Sequence, residues 1–278
     1  MKKLLVMLMA LAMMVTMLAS CDSEPAGNAE TTVAATEAPT EAPTEPSPEA
    51  VMEQANAATM ATPYILKTSM KFSSDNAEMN QIFSAMTMEY PIVMDGDNLS
   101  MDMSMDMGEG IKLNMVMTVV DQVLYYDMDV AGTSAKMKCT LTDEQMKEFV
   151  ADSGVEMPVS PEEFANMTME KKDNTYTIVF EELSDAGKEI LDDMIGESLG
   201  VDAGATANMK SLSYITTITD GKYDELTLTC EYTMNVEGMS FNVKMDMGFE
   251  YEYENVPEIK VPADAADYQE VPYDEIMG

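Results

Sequence analysis

The three thiols of this 278-residue sequence, at Cys21, Cys139 and Cys230, could act as nucleophiles or pair in a disulfide. Cys139 and Cys230 fall on predicted strands, on the face that carries the apolar side chains. An exported location permits a disulfide between them, whereas burial on that face would leave two free thiols. The sequence leaves both outcomes open.

The setting of Cys21 is different, because it follows a segment with the layout of a signal peptide. Lys2 and Lys3 form a charged start, an apolar run extends over residues 4–18, and polar residues begin directly after Cys21. This layout predicts a signal peptide over residues 1–20. The run is shorter than the about 20 apolar residues that a transmembrane helix needs.

The four residues Leu18, Ala19, Ser20 and Cys21 resemble the lipobox of bacterial lipoproteins. The resemblance implies that the Cys21 sulfur receives a diacylglycerol group and that the chain is cleaved before it. Two acyl chains hold a protein on a membrane far more stably than one does. We therefore expect a lipid-anchored protein on the extracytoplasmic side of the cell membrane. The alternative is an ordinary secretory signal in which Cys21 is incidental.

Methionine is unusually abundant, with 32 residues, many of them in Met-x-Met runs. One run alternates Met101, Met103, Met105 and Met107 with Asp and Ser, so that the sulfurs share one face of a strand. Three interpretations follow: a core in which Met replaces Leu and Ile, the lining of an adaptable hydrophobic pocket, and a Cu(I) site. The first two are compatible. The third lacks the usual His companion, and we expect no bound metal.

The pocket interpretation assigns ligand binding to the apolar face of the predicted sheet. Flexible and polarizable thioethers suit surfaces that accept varied apolar ligands, and ligand pockets are mostly apolar. The candidate ligand-binding residues on this face are Met101, Met103, Met105, Met115, Met117, Tyr214, Tyr232 and Met234.

The residue types present do not favour catalysis. The sequence contains no His for general-base work, no G-x-S-x-G or Ser-x-x-Lys nucleophile site, and no phosphate-cradling glycine loop. Acidic pairs such as Glu162-Glu163 are expected by chance among 51 acidic residues, although a carboxylate-only hydrolase stays an alternative. The acidic turn at residues 95–98 lacks the spaced ligands of a calcium loop. We predict a protein without enzymatic activity or cofactor.

The charge of the chain excludes nucleic acid as a partner. The formal net charge is −36, and the basic residues are all Lys, scattered singly except at Lys2-Lys3 and Lys171-Lys172. Neutralising phosphates takes clustered Lys and Arg, and a polybasic membrane patch is also missing. The lipid is therefore the expected membrane anchor, and protein partners are not identified by the sequence.

Composition divides the chain into three parts. After the signal peptide, residues 21–49 are rich in Ala, Thr, Glu and Pro, with the unit Thr-Glu-Ala-Pro repeated at residues 36–39 and 40–43. Such a segment has little to bury and favours extended conformations, which predicts an acidic tether. Residues 50–278 have the length of one β-rich domain.

Alternation of apolar and polar residues predicts about ten strands in that domain. The chain meanders from Tyr64 to Leu141 and again from Leu212 to Tyr253, and Ile259–Pro262 is predicted as a short closing edge strand. A hairpin is predicted over residues 167–180. Residues 79–83 could form a helical turn or a loop.

Helices are predicted before and between these strands. Residues 50–60 have helical spacing, and Thr142 with Gln145 forms a capping box. Further helix starts are predicted at Ser160 and Ser184. Strands with one apolar face need a cover on that face. The fold class is therefore α+β, a curved antiparallel sheet with helices covering its concave face.

The order of these elements and the segment Val256–Ala265 resemble the exported lipoproteins with a LolA/LolB-like half-barrel, including the mycobacterial lipid-binding kind. The resemblance implies a half-barrel sheet and a hydrophobic cavity between the sheet and its helices, large enough for acyl chains. We expect a membrane-anchored lipoprotein that binds lipid or another hydrophobic molecule without catalysis. The alternative is a surface interaction protein whose core is filled.

Overall fold

A computed structural model describes residues 46–84, 88–106, 112–152, 164–184, 206–236 and 239–277. Four α-helices lie in these ranges: α1 (Pro48–Met60), α2 (Ala77–Ser84), α3 (Asp143–Asp152) and α4 (Tyr273–Met277). The strands in these ranges are β1 (Tyr64–Ser74), β2 (Met88–Asp95), β3 (Asn98–Asp106), β4 (Lys112–Val120), β5 (Val123–Val130), β6 (Thr133–Thr140), β7 (Phe164–Lys172), β8 (Thr175–Leu183), β9 (Thr206–Thr219), β10 (Lys222–Val236), β11 (Met239–Glu252) and β12 (Gln269–Glu270).

These strands form a single open, curved sheet in the order β12-β6-β5-β4-β3-β2-β1-β11-β10-β9-β8-β7. Two antiparallel meanders, β1–β6 and β7–β11, meet where β1 pairs with β11. The prediction of a curved, β-rich sheet is therefore confirmed, and few helices accompany it in the described ranges. The sheet is mixed rather than wholly antiparallel, because β12 runs parallel to β6.

The alternation in the sequence decides which face of the sheet is buried. On β1, Tyr64, Leu66, Met70 and Phe72 are at most 5% exposed. Their neighbours between them, such as Lys67, are half-buried or exposed. The same pattern continues across the sheet because successive side chains of a strand point to opposite faces. One apolar face therefore runs through the whole sheet.

The turns predicted at residues 95–98, 173–174 and 220–221 are confirmed, whereas those predicted at residues 108–110 and 237–238 lie outside the described residues. The chain reverses at Gly96 and Gly221, where φ is +59° and +78°, and glycine adopts such values without steric cost. Asp173 and Asn174 form the turn between β7 and β8. These residues fix the register of the hairpins, because the turn sets which residues pair.

The closing edge strand predicted at Ile259–Pro262 is wrong. Those residues form no strand, and the edge beside β6 is occupied by Gln269 and Glu270 of β12. Pro257 and Pro262 flank the segment and have no backbone N–H to donate to a ladder. The tail instead reaches β6 about seven residues later in the chain.

Side chains hold this tail against β6. Lys136 forms ion pairs with Asp264 and with Asp127. The rings of Tyr125 and Tyr268 make an edge-on contact with centroids 5.4 Å apart. The tail covers a sheet edge that would otherwise present unpaired backbone groups.

Three of the predicted helical regions can be compared with the structure. Helix α1 ends at Met60 as predicted and begins at Pro48, two residues before the predicted start. Thr142 and Gln145 form the predicted capping box with N–O distances of 3.0 and 3.2 Å. Residues 77–84 form a helix rather than a loop. The helix predicted from Ser160 does not continue into Phe164, because Phe164–Lys172 form strand β7. The helix start predicted at Ser184 leads into residues that the structure does not describe.

A network of hydrogen bonds joins helix α1 to the sheet. Tyr253 donates its hydroxyl to the carbonyl of Tyr223 at 2.6 Å and lies 3.2 Å from the hydroxyl of Thr59. The backbone N–H of Tyr223 donates to the same Thr59 hydroxyl at 3.2 Å, and the Tyr223 hydroxyl donates to the Met52 carbonyl at 3.3 Å. This end of the sheet is therefore fixed to α1 by buried bonds.

We expect Tyr253→Phe to lower the free energy of unfolding by about 1–2 kcal/mol, because it removes the hydroxyl that donates to the Tyr223 carbonyl and contacts the Thr59 hydroxyl. Urea unfolding would measure the change. The control is Tyr126→Phe, since the Tyr126 hydroxyl donates to the thioether of Met128, a weak acceptor. Equal losses in the two variants would contradict the role given to the network.

Candidate functional site

The described structure gathers the methionines of β3–β6 into one surface. The strand register aligns two cross-strand rows on the apolar face, one containing Met101 and the other Met103. We call this surface the methionine panel. Its residues are Met101, Met117, Tyr126 and Met137 in the first row and Met103, Met115, Met128 and Ala135 in the second.

The panel is less buried than the centre of the same face. Met101 is 6% exposed, whereas the seven other members are only partly buried. Met103, Met115 and Met117 pack against the main core without being enclosed by it. At the sheet centre, by contrast, the facing pair Met70 and Met247 is 1% and 3% exposed. On β3–β6 the apolar face therefore changes along the strands, from a packed row at Leu99, Val119, Leu124 and Cys139 to the partly accessible panel.

The remaining predicted ligand-binding residues occupy the packed part of the face. Tyr214 is 0% exposed, and its ring makes an edge-on contact with Phe180 at 4.9 Å. Tyr232 and Met234 on β10 are 5% and 3% exposed. Met105 lies on β3, but its side chain is outside the described part of the structure. The structure thus divides the predicted site into an enclosed group on β9–β10 and a partly open group on β3–β4.

Four members of the panel were not predicted from the sequence: Tyr126, Met128, Ala135 and Met137. Their strands were predicted from the alternation, so their face was available from the sequence. Their alignment beside Met115 and Met117 depends on the pairing of β4 with β5 and of β5 with β6. That pairing is what brings them into the same surface.

The thiols of Cys139 and Cys230 are buried and free, which resolves the choice left open by the sequence. Cys139 lies on β6 and Cys230 on β10, and six strands lie between these two in the sheet. Burial raises the pKa of Cys139, and burial with a smaller effect of Glu231 raises the pKa of Cys230 to about 12. Both groups therefore stay protonated and poorly nucleophilic at neutral pH.

The polar face carries a different kind of feature. An open hollow of about 490 Å³ is bordered by Lys67, Ser69, Glu89, Gly248 and Glu250, among others. In the described ranges no three His, Cys, Asp or Glu side chains are grouped so as to hold a metal ion. The hollow offers charged groups of both signs, with Lys67 already paired to Glu252. We assign it no ligand.

The chain belongs to the family of unknown function DUF6612, which matches residues 44–270. No curated protein matches the sequence. Within the described residues, no helix is long and apolar enough to cross a membrane. The family match covers α1 and all the strands described here, and ends within β12.

We expect neither Cys139 nor Cys230 to react with a thiol reagent such as dithionitrobenzoate while the domain is folded at mildly alkaline pH. Their raised pKa values keep them protonated, and burial blocks access. Guanidinium chloride should release both thiols. The control is Thr140→Cys, which adds a thiol at an exposed position next to Cys139. Rapid native reaction at either buried position would contradict their placement.

Truncating a methionine to alanine should lower the free energy of unfolding less on the panel than at the sheet centre. We expect Met70→Ala to lower the free energy of unfolding by about 2–5 kcal/mol, since it leaves a cavity in packed core. Met115→Ala should cost less than half as much because Met115 is only partly buried. Urea unfolding of the two variants measures the difference, and equal costs would show that the panel is ordinary core.

Proposed function

We propose that this chain is a membrane-anchored extracytoplasmic lipoprotein that binds lipid or another hydrophobic molecule without catalysis. In this proposal the curved sheet is a half-barrel, its helices lie over the concave apolar face, and the methionine panel is the wall that contacts the ligand. The anchor is a diacylglycerol on Cys21. The LolA/LolB-like relationship is part of the same proposal.

The observation that carries the proposal is the partial exposure of the panel. A protein normally encloses a contiguous apolar surface of this kind, and one left partly open marks a binding surface or groove. Seven of the eight panel residues lie in the half-buried range although they continue a face that is fully enclosed at β1 and β11. Side chains of methionine can adjust to ligands of different shape.

The helices support a cavity on the same side of the sheet. Val51, Met52 and Ala55 of α1 belong to the core cluster, as do Met146 and Phe149 of α3. Both helices thus contribute apolar side chains to the core formed by the inner face of the sheet. A ligand between sheet and helices would be enclosed on two sides, as pockets for apolar ligands are.

The sequence supports the anchor and the tether. The charged start, the apolar run and the lipobox-like residues before Cys21 have the layout of a lipoprotein signal. The segment 21–49 would separate the domain from the membrane. A net charge of −36 disfavours close contact of the domain surface with anionic headgroups.

The alternative function is an interaction protein with a filled core. Tyr214, Tyr232 and Met234 favour it for the β9–β10 half, since these side chains are at most 5% exposed. Among the predicted ligand-binding side chains that the structure describes, the partly exposed ones lie on β3 and β4, and the proposal confines binding to β3–β6.

We expect the protein purified from a bacterial host to carry lipid that native mass spectrometry detects and solvent extraction releases. Met103→Glu with Met115→Glu should abolish this lipid, since two carboxylates on the panel would have to be buried against acyl chains. The matched control is Met169→Glu, a partly buried position on the opposite flank of the sheet. A lipid-free wild-type protein, or equal loss in the control, would favour the filled-core alternative.

A further inference from the structure

The backbone ladder between β2 and β3 stops half-way along the two strands. Four residues of β2, from Ile92 to Asp95, pair with Asn98 to Met101 of β3. Beyond Ile92 and Met101 no pairing is formed, although β2 extends back to Met88 and β3 extends on to Asp106. Each strand keeps its other neighbour there, since β2 stays paired with β1 and β3 with β4.

Pro91 stands at the point where this ladder ends. A proline has no backbone N–H, and within a sheet it is confined to edges and bulges. Pro91 lies opposite Lys67 of β1 in the interior of the sheet. Because β2 is not paired with β3 at this point, the sheet requires no backbone N–H from Pro91 on that side. We call the unpaired stretch between residues 88–91 and 102–106 the seam.

The seam leads to the methionine panel. Continuing the register of the paired part places Tyr90 opposite Met103 on the apolar face. Both side chains are partly buried and pack against the core. Burial also raises the pKa of the Tyr90 hydroxyl. A molecule entering between the strands would pass Tyr90 and meet the panel at Met103.

The backbone ladder between β8 and β9 also ends before the strands do, but the side chains at its last pair are fully buried. Its last pair is Phe180 with Tyr214. Both rings are 0% exposed, and they contact each other edge-on. The two sites therefore differ in burial: Met88 is buried, but Tyr90 and Met103 at the β2–β3 seam are only partly buried.

We propose that the seam is the lateral entrance through which a single acyl chain of an uncharged amphiphile reaches the panel. This inference rests on the proposed lipid-binding function and adds the route and the ligand class. Paired strands lie about 4.8 Å apart, so a modest widening at the seam admits one hydrocarbon chain end-on rather than a bulky ring system. Glu89 and Asp102 are exposed at its outer side and disfavour anionic headgroups.

Covalent bridging of the seam tests the entrance. Glu89→Cys with Ser104→Cys places two thiols across the seam, at exposed positions that face each other if the register is continued. The matched control, Val93→Cys with Ser100→Cys, bridges a pair that the ladder already joins. A bis-maleimide long enough to span an open seam links each pair, and mass spectrometry confirms the bridge. Cys139 and Cys230 are buried and stay unmodified.

The measurement is the rate at which a neutral, nitrobenzoxadiazole-labelled monoacylglycerol enters the protein. The full chain, as a bacterial host processes it, is held in phosphatidylcholine nanodiscs, and nanodiscs without protein give the background. We expect the bridge across the seam to slow uptake at least tenfold. The control bridge and both unbridged variants should load at the wild-type rate.

Two results would overturn the entrance while leaving lipid binding in place. One is unchanged uptake after the seam is bridged, and the other is equal slowing by both bridges. Faster uptake of an oleate-type anionic probe than of the neutral probe would overturn the ligand class. If the unmodified chain takes up no probe above background, the proposed function itself fails and the entrance fails with it.

Discussion

The antiparallel pairing of β1 with β11 is the interaction on which the rest of the structure depends. It joins ten residue pairs from Ile65 with Glu252 to Ser74 with Val243, and it unites two meanders that are distant in sequence. Closing such a long loop costs chain entropy, and the burial of the continuous apolar face offsets this cost. A side chain at Gly248 would place its Cβ 2.8 Å from the Ser69 hydroxyl oxygen, so glycine leaves room for the Ser69 side chain that faces it.

The apolar face is buried unevenly, and the proposed function depends on this difference in burial. The side chains of this face are buried at the β1–β11 pair, and hydrogen bonds among Tyr223, Tyr253 and Thr59 join α1 to β10 and to the residue after β11. The flank formed by β3–β6 continues the same face with methionines that are only partly covered. In the proposed function, the packed centre stabilises the domain and the flank accommodates the ligand.

The sequence anticipated most strands because alternation is a local property that survives folding. It also anticipated α1 and the Thr142–Gln145 cap, since caps are made by residues three positions apart. It failed at Ile259–Pro262, where the apolar residues resemble a strand but the flanking prolines remove donors and β12 takes the edge. The choice between a disulfide and free thiols was also beyond local pattern, because it depends on where β6 and β10 lie in the sheet.

The sequence alone determined which side chains are apolar and which face of each strand they occupy, because the side chains of a strand alternate with a period of two residues. The absence of His and Arg and the acidic charge were equally fixed there. How the strands are ordered, which part of the apolar face is enclosed and where Pro91 interrupts the ladder were decided only by the tertiary structure. These features arise from contacts between residues far apart in the chain, and no local spacing encodes the strand that will lie on the other side.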